Sequence, residues 1–221
     1  MGTSVTNEPP KVVSDSSEYF GRVADRWDEM RSGYFSEAMR DAAIAKAALP
    51  PGAVVADIGT GTGFVAEALA HQARHVFGFD ASPAMLAVAG RNLSGLSNVT
   101  LRQAEGQTIP LSDGSLDAVF ANMYLHHAPD PAAAIREMAR LLKPGGVLCI
   151  TDLDSHPHAW FREQMADLWL GFRRDEVREW YAEAGLAGID VDCAAGTCDS
   201  LSPGGERVRA SVFVAIGRKP G

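Results

Sequence analysis

Residues 54–63 read Val-Val-Ala-Asp-Ile-Gly-Thr-Gly-Thr-Gly, and Phe64 follows. An apolar run that ends in an acidic residue and enters three alternating glycines narrows the folds open to this chain. It describes a buried strand, a tight turn and the start of a helix. Glycine accepts positive φ and leaves the backbone open to close approach. In α/β proteins such a turn holds a nucleotide-like cofactor at the carboxyl end of the strand. The spacing then discriminates. The dinucleotide fingerprint G-x-G-x-x-G needs its third glycine at position 64, where this chain has Phe64. Its third glycine is Gly63, and Asp57 stands ahead of all three.

Strand and helix patterns alternate through the rest of the chain. Residues 54–58 read as a strand and 63–73 as an Ala-rich helix. A strand at 76–79 ends in Asp80, and a helix over 83–93 has Ser82 as N-cap and Pro83 at its first position. Further strands are expected at 99–102, 116–121 and 147–151. A helix over 131–142 is stopped by Pro144-Gly145-Gly146, and another covers about 174–184. Strands at 188–193 and 210–216 lie too close for a crossover helix. They are therefore expected to pair antiparallel through a loop at 197–207. The pattern specifies an α/β fold with a doubly wound, mostly parallel sheet of seven strands, the last antiparallel, and helices on both faces.

Ahead of this region, residues 1–16 are polar and read as a disordered tail. Residues 17–50 carry Tyr19, Phe20, Val23, Trp27, Met30 and Tyr34 at helical spacing and read as two helices broken near Ser32-Gly33. The main domain is expected at 51–221, with a substrate-side insertion at about 152–175. A net charge of −8 argues against a nucleic acid partner. No apolar run approaches the ~18 residues of a membrane span. Three cysteines are too few for a disulfide framework. A cytoplasmic chain, monomeric or homodimeric, is the resulting expectation.

The pattern D-x-G-x-G-x-G at 57–63 resembles the first motif of class I S-adenosylmethionine (SAM)-dependent methyltransferases. The stretch Ala104-Glu105-Gly106-Gln107-Thr108-Ile109-Pro110-Leu111 is similar to their G-D-A-E-x-L-P-F segment, and Leu125-His126-His127 occurs at the matching place after a strand. The chain resembles the small-molecule branch that includes quinone-biosynthesis methyltransferases and the methyltransferase domains fused to ArsR-type regulators. Trp169-Leu170-Gly171-Phe172 and Glu206-Arg207-Val208 resemble the methyltransferase domains fused to ArsR-type regulators. The resemblance implies a Rossmann-like fold, SAM as cofactor and S-adenosylhomocysteine as its product. The methionyl part of SAM would lie over Gly59, Thr60, Gly61 and Gly63, with Asp57 accepting from its ammonium group. Asp80 would take the ribose hydroxyls, and Ala81 and Met85 would flank the adenine. Glu105 would accept from the adenine amine, and the Gly106 amide would bond a ring nitrogen. Asn122 and Met123 would pass beneath the sulfonium. Tyr19 and Tyr34 would cover the cofactor as a lid.

Asn122 lines the expected transfer path, and His126 or His127 offers a base. The expected cavity lies between Tyr34, Asn122, His126 and Trp160. His156 and His158 beside Asp152 and Asp154 lack a third ligand at metal spacing, so no metal is expected. The acceptor is expected to be a small molecule; Cys193 and Cys198 raise arsenite as one thiophilic option. Two other readings are a SAM-binding module without turnover and an NAD-dependent oxidoreductase. The second needs a Tyr-x-x-x-Lys pair, but Tyr19, Tyr34, Tyr124 and Tyr181 are followed at that spacing by Val23, Ala38, Ala128 and Gly185.

Overall fold

The computed structural model of the chain describes residues 16–32, 35–201, 204–205 and 207–221. The expectation for the amino-terminal tail falls on residues outside this set, except for Ser16, which opens helix α1 (Ser16–Val23). A 3-10 turn over Ala24–Arg26 joins it to α2 (Trp27–Arg31). The helix expected ahead of Ser32 is thus broken near its middle. The tighter turn buries Ala24 while Phe20, Val23 and Trp27 pack on Met85 and Val88. Helix α3 (Glu37–Ala47) starts at Ser36, whose hydroxyl accepts from the Met39 amide.

Then follow β1 (Val54–Ile58), α4 (Phe64–Ala70), β2 (His75–Asp80), α5 (Pro83–Asn92), β3 (Val99–Gln103) and β4 (Leu116–Asn122). Helix α6 (Pro131–Leu141), β5 (Leu142–Leu153), α7 (Trp160–Gln164), α8 (Arg174–Glu183), β6 (Ala187–Leu201) and β7 (Arg207–Arg218) complete the chain. The sheet has seven strands in the order β3-β2-β1-β4-β5-β7-β6. Strand β7 runs antiparallel to both neighbours, and the other pairs are parallel. Among the described residues, no helix is long and apolar enough to cross a membrane.

Alternation along the central strands divides the core. Val55, Phe120, Cys149 and Val214 face the layer of α3, α4 and α5. Ala56, Ile58, Val119, Ile150 and Phe213 face the layer of α6 and α8. Strands buried on both faces explain why β1, β4 and β5 read as continuous apolar runs. The strand order reverses between β1 and β4, which opens a crevice at their carboxyl ends.

Two boundaries differ from the sequence pattern. Strand β5 begins at Leu142, ahead of the Pro-Gly-Gly, because that segment pairs with the carboxyl end of the chain. The Gly145 amide donates to the Lys219 carbonyl at 2.8 Å, and the Lys219 amide to that of Gly146 at 2.9 Å. The expected loop at 197–207 is mostly strand. A register shift between Cys193 and Thr197 lets the ladder resume and run from Thr197↔Ser211 to Leu201↔Arg207.

Gly171 ties the segment after β5 back onto that strand. Its φ is +69°, and a Cβ there would lie 2.3 Å from the Asp154 carbonyl oxygen. The obstacle is backbone, so it cannot swing aside. Gly171→Ala should lower unfolding free energy by about 3 kcal/mol in a denaturant titration. Gly90→Ala, inside α5 with open space at the Cβ position, should be neutral or stabilising. Equal midpoints for the two variants would refute this reading.

Candidate active site

A cavity of about 370 Å³ lies at the carboxyl ends of β1, β2 and β4, a size typical of small-molecule sites. The glycine loop forms its floor. Gly59, Gly61 and Gly63 all have positive φ, at +70°, +54° and +93°. A Cβ on Gly59 would lie 2.7 Å from the Tyr124 ring, and one on Gly63 would lie 2.7 Å from Leu93. Gly63 is the N-cap of α4 and does not line the cavity itself.

Two buried acids organise this loop. Asp57 is 1% exposed. Its Oδ2 accepts from the Thr60 hydroxyl at 2.7 Å and the Ala66 amide at 3.1 Å, while its buried Oδ1 has no partner. Burial raises its pKa to about 7. Asp80 ends β2 and accepts from the Gly61 amide at 2.8 Å and the Ser82 amide at 2.9 Å. Burial raises its pKa too. Asp57 Oδ2 is filled by its two donors, while Asp57 Oδ1 keeps both lone pairs for a further donor. Ser82 caps α5 by accepting from the Met85 amide, and Ala81 and Met85 both line the cavity.

Tyr124 was missed as a site residue. A Cβ at position 106 would lie 1.9 Å from its hydroxyl, so Gly106 is glycine to make room for this ring. Burial, then the charges of Glu105 and Asp80, push the Tyr124 hydroxyl well above its ordinary pKa. Glu105 and Gly106 both line the cavity beside it.

The amino-terminal helices contribute Phe20, Trp27 and Arg31. Asp28 ties them to the glycine loop, accepting from the Thr62 hydroxyl at 2.6 Å and the Asn92 amide group at 3.1 Å. The Arg31 guanidinium lies 3.6 Å from the Phe64 ring centre, and burial lowers its pKa. Its Nε is buried and makes no hydrogen bond within normal reach, facing Asp28 Oδ1 at 3.8 Å. Tyr19 packs edge-on against Phe20, and Phe20 takes the wall position expected for it. Tyr34 lies outside the described residues.

At the opposite end stand Asn122, Met123, His126, His127 and Asp167. Asn122 Oδ1 accepts from the Thr151 hydroxyl at 2.7 Å. Met123 holds φ +51°, unusual for a residue with a Cβ, and its amide donates to the Thr151 carbonyl. His126 is 4% exposed, with Nδ1 at 2.6 Å from Asp152 Oδ1 and Nε2 at 3.8 Å from Asp167 Oδ1. Burial alone would lower its pKa, but the charges of Asp152 and Asp167 outweigh it and raise it to about 9. Burial and the neighbouring His126 push His127 well below its usual range, so its Nδ1 donates to the Ala166 carbonyl as a neutral ring. Phe161, Met165, Leu153 and Leu168 complete an apolar wall. Phe161, and not Trp160, reaches the cavity.

Asp167 was also missed, because nothing near it in sequence marks a site. The fold brings it there. Ala166 holds φ +57°, and the amides of Leu168 and Trp169 both donate to the His126 carbonyl. His126, His127 and Asp167 offer ligand atoms within 4.8 Å of one another. The 3.8 Å between His126 Nε2 and Asp167 Oδ1 exceeds the ~3.3 Å separating tetrahedral ligands with ~2.05 Å bonds. The geometry is that of an ion-pair network.

The cofactor half is lined by Asp57, Asp80 and Glu105. That set repels the phosphates of a dinucleotide and attracts a cationic ligand. The unpartnered Asp57 oxygen is a ready acceptor for an ammonium group, and Arg31 Nε a ready donor to a carboxylate. The residues present therefore fit SAM.

A family model described as a methyltransferase domain matches residues 56–150. The ubiquinone biosynthesis O-methyltransferase of Xanthomonas campestris pv. campestris is 38% identical over 165 residues, 68% of this chain and 69% of that protein. A 2-methyl-6-phytyl-1,4-hydroquinone methyltransferase of Oryza sativa subsp. japonica is 31% identical over 72% of this chain and 49% of that one. The chain thus spans about half the length of this plant relative. Among solved structures, a Haemonchus contortus phosphoethanolamine N-methyltransferase 2 in complex with SAM superposes with a TM-score of 0.76 at 18% identity, over 96% of this chain and 61% of that one. A Haloferax volcanii methyltransferase in complex with the Trm112 activator gives 0.74 at 22% identity, over 91% and 98%. These structural likenesses show the shared Rossmann-like fold. Glycine loop, strand-end acids and relatedness to the Xanthomonas enzyme together place the chain in the family of SAM-dependent methyltransferases.

Proposed function

We propose that the chain transfers the methyl group of SAM to a hydroxyl of a small, largely apolar aromatic acceptor of the hydroquinone class. The observation that carries this reading is the division of the cavity. One half is acidic and suited to a cationic cofactor; the other is apolar, with a single polar cluster at His126. The names of the relatives, a ubiquinone biosynthesis O-methyltransferase and hydroquinone methyltransferases, support the same class.

When bound, SAM supplies a methyl group already activated by its sulfonium, so the protein needs only to align the partners and exclude water. Asp57 would hold the ammonium group, Arg31 the carboxylate and Asp80 the ribose. Glu105, Gly106, Ala81 and Met85 would surround the adenine, with Tyr124 as an added wall. Thr60 fixes Asp57, while Gly59 and Gly61 would line the methionyl path. Asn122 and Met123 would lie beneath the methyl group. Such alignment supplies ~7–11 kcal/mol of barrier lowering.

The thiophilic reading is not favoured. Cys193 is exposed on β6, and Cys149 is buried against Ala43 with its thiol pushed up to about 12. Neither lines the cavity. The Cys198 side chain lies outside the described residues. A SAM-binding module without turnover is separated from an enzyme by assay against a panel of phenols and hydroquinones. Single-turnover transfer from labelled SAM is the expected result, and binding without transfer to any member would sink the proposal.

Two variants test the cofactor half. Asp80→Ala should weaken SAM binding by roughly 1–3 kcal/mol in a calorimetric titration. Unchanged affinity would remove Asp80 from the ribose site. Asp57 gives a pH signature. Its carboxyl is protonated below about 7 in the unliganded chain. The ionised form is the better acceptor for an ammonium group. SAM affinity should therefore rise with pH up to about 7, by at most about tenfold per unit, and level off above. Asp57→Asn should flatten this limb; an unaltered pH profile in the variant would exclude Asp57 as its source.

A further inference from the structure

The proposed acceptor carries a hydroxyl proton that must leave before or during methyl transfer, and the polar cluster around His126 offers few places for it. His126 itself is occupied on both sides. Its Nδ1 is bonded to Asp152 and its Nε2 faces Asp167. Held between two carboxylates, the ring carries its own proton at neutral pH and has no lone pair to offer. His127 donates from Nδ1 to the Ala166 carbonyl, and its ring packs edge-on to Phe20 at 4.9 Å. Asn122 Oδ1 already accepts from Thr151. His156 is buried but lies outside the cavity wall.

Asp167 differs from all of these. It is 2% exposed, lines the cavity, and its Oδ2 is buried without a hydrogen-bond partner. Its backbone is laced to the residues after β4. The Ala166 carbonyl takes His127, and the two amides after Asp167 both donate to the His126 carbonyl. The Trp169 indole donates to the Ala128 carbonyl at 2.8 Å. A carboxylate held this firmly, with one oxygen toward an imidazole and the other unpartnered, suits proton transfer.

Resting on the hydroxyl-acceptor reading, we infer that Asp167 takes the acceptor's proton and that His126, locked to Asp152, is its positioning partner. The acceptor's O–H bond breaks with its electron pair left on oxygen, and the proton goes to Asp167 Oδ2. The oxygen pair forms the new O–CH3 bond as the C–S pair returns to sulfur. The proton then leaves Asp167 for solvent, so one methyl group is transferred and one proton released per turnover. The charged and titratable groups facing Asp167 are His126 and His127 after β4, Asp152 on β5 and Arg162 on α7. Burial first, then Asp152, raise the Asp167 pKa to about 7, while His126 and Arg162 hold it down. That range matches a base working near neutrality.

The test uses the full chain with SAM and two acceptors, an unactivated phenol and 4-nitrophenol, which ionises without help. Asp167→Asn should leave SAM affinity within about twofold. It should lower kcat/KM for the unactivated phenol by about 10²-fold or more, but for 4-nitrophenol by less than tenfold. At saturating SAM, where the Asp57 effect on cofactor affinity drops out, the wild-type rate for the unactivated phenol should rise with pH through about 7, and the variant should lose that limb. Infrared difference spectra of the unliganded chain should show protonated carboxyl intensity from both Asp57 and Asp167 titrating near the same pH, and Asp167→Asn should lose the Asp167 share while Asp57→Asn keeps it. If this variant unfolds early, Asp167→Glu keeps a carboxylate and should retain the pH limb at a reduced rate. Equal losses on both acceptors, or no loss, would overturn the assignment. So would activity abolished by a chelator and restored by a divalent cation, which would make the cluster a metal site. A wild-type chain that binds SAM but methylates no phenol would take down the hydroxyl-acceptor reading and this inference with it. Methylation by wild type with an unaffected Asp167→Asn would take down the inference alone.

Discussion

The Asp80 carboxylate is the contact on which the cofactor half of the site depends. It accepts from the Gly61 amide across the crevice and from the Ser82 amide on its own strand end. One charge thereby ties the glycine loop of β1 to the start of α5. Hydrogen bonds to a buried carboxylate are stronger than neutral ones and costly to leave unmade. The loop can meet this anion only if Gly61 takes positive φ, which explains the glycine better than ligand approach alone. The acid that would receive a ribose is also the acid that shapes the loop beneath the methionyl group. Cofactor binding and loop geometry are therefore not separable at this residue.

The two ends of the cavity use buried charge differently. Around Asp57 and Asp80 the acids accept from amides and a hydroxyl, and no ion pair to either is seen among the described residues. Burial first, then a neighbouring acid, raises their pKa, and a cationic ligand relieves that cost. Around His126 the acids are paired with an imidazole inside the protein. That end gains nothing from a cationic ligand and is bordered by apolar side chains. A substrate with a neutral hydroxyl on an apolar ring suits the second end and not the first. This asymmetry orients both partners without a dedicated specificity loop.

Much of the cofactor half was legible in the sequence because it is built from strand ends. Apolar runs bounded by turn residues locate β1, β2 and β3, and the residues at and just beyond each strand end fall toward the crevice by topology. Asp57, Asp80 and Glu105 were found this way. The acceptor half was less legible, because its parts come together only through long-range folding. Asp167 lies in a short irregular segment, positioned by Ala166 in a left-handed conformation and by bonds to His126. No periodicity marks it. Tyr124 was passed over because the glycine facing it, Gly106, reads as a departure from a motif; its physical reason is a ring from another strand end. The β6–β7 hairpin was read too short because a bulge interrupts the alternation on which strand reading relies.

The amino-terminal helices touch both halves of the cavity. Asp28 bonds Thr62 of the glycine loop, and three residues on, Arg31 stacks on Phe64 at the start of α4. Phe20, on the preceding helix, packs on Trp27 and on His127. The same short helices thus touch the methionyl side and the ring beside the proton-handling cluster. Most of their own packing is on Met85 and Val88, a small satellite of the main core. Elements with few buried apolar contacts open at low free energy. Contacts made by a bound cofactor to Trp27 and Arg31 would add directly to that small margin.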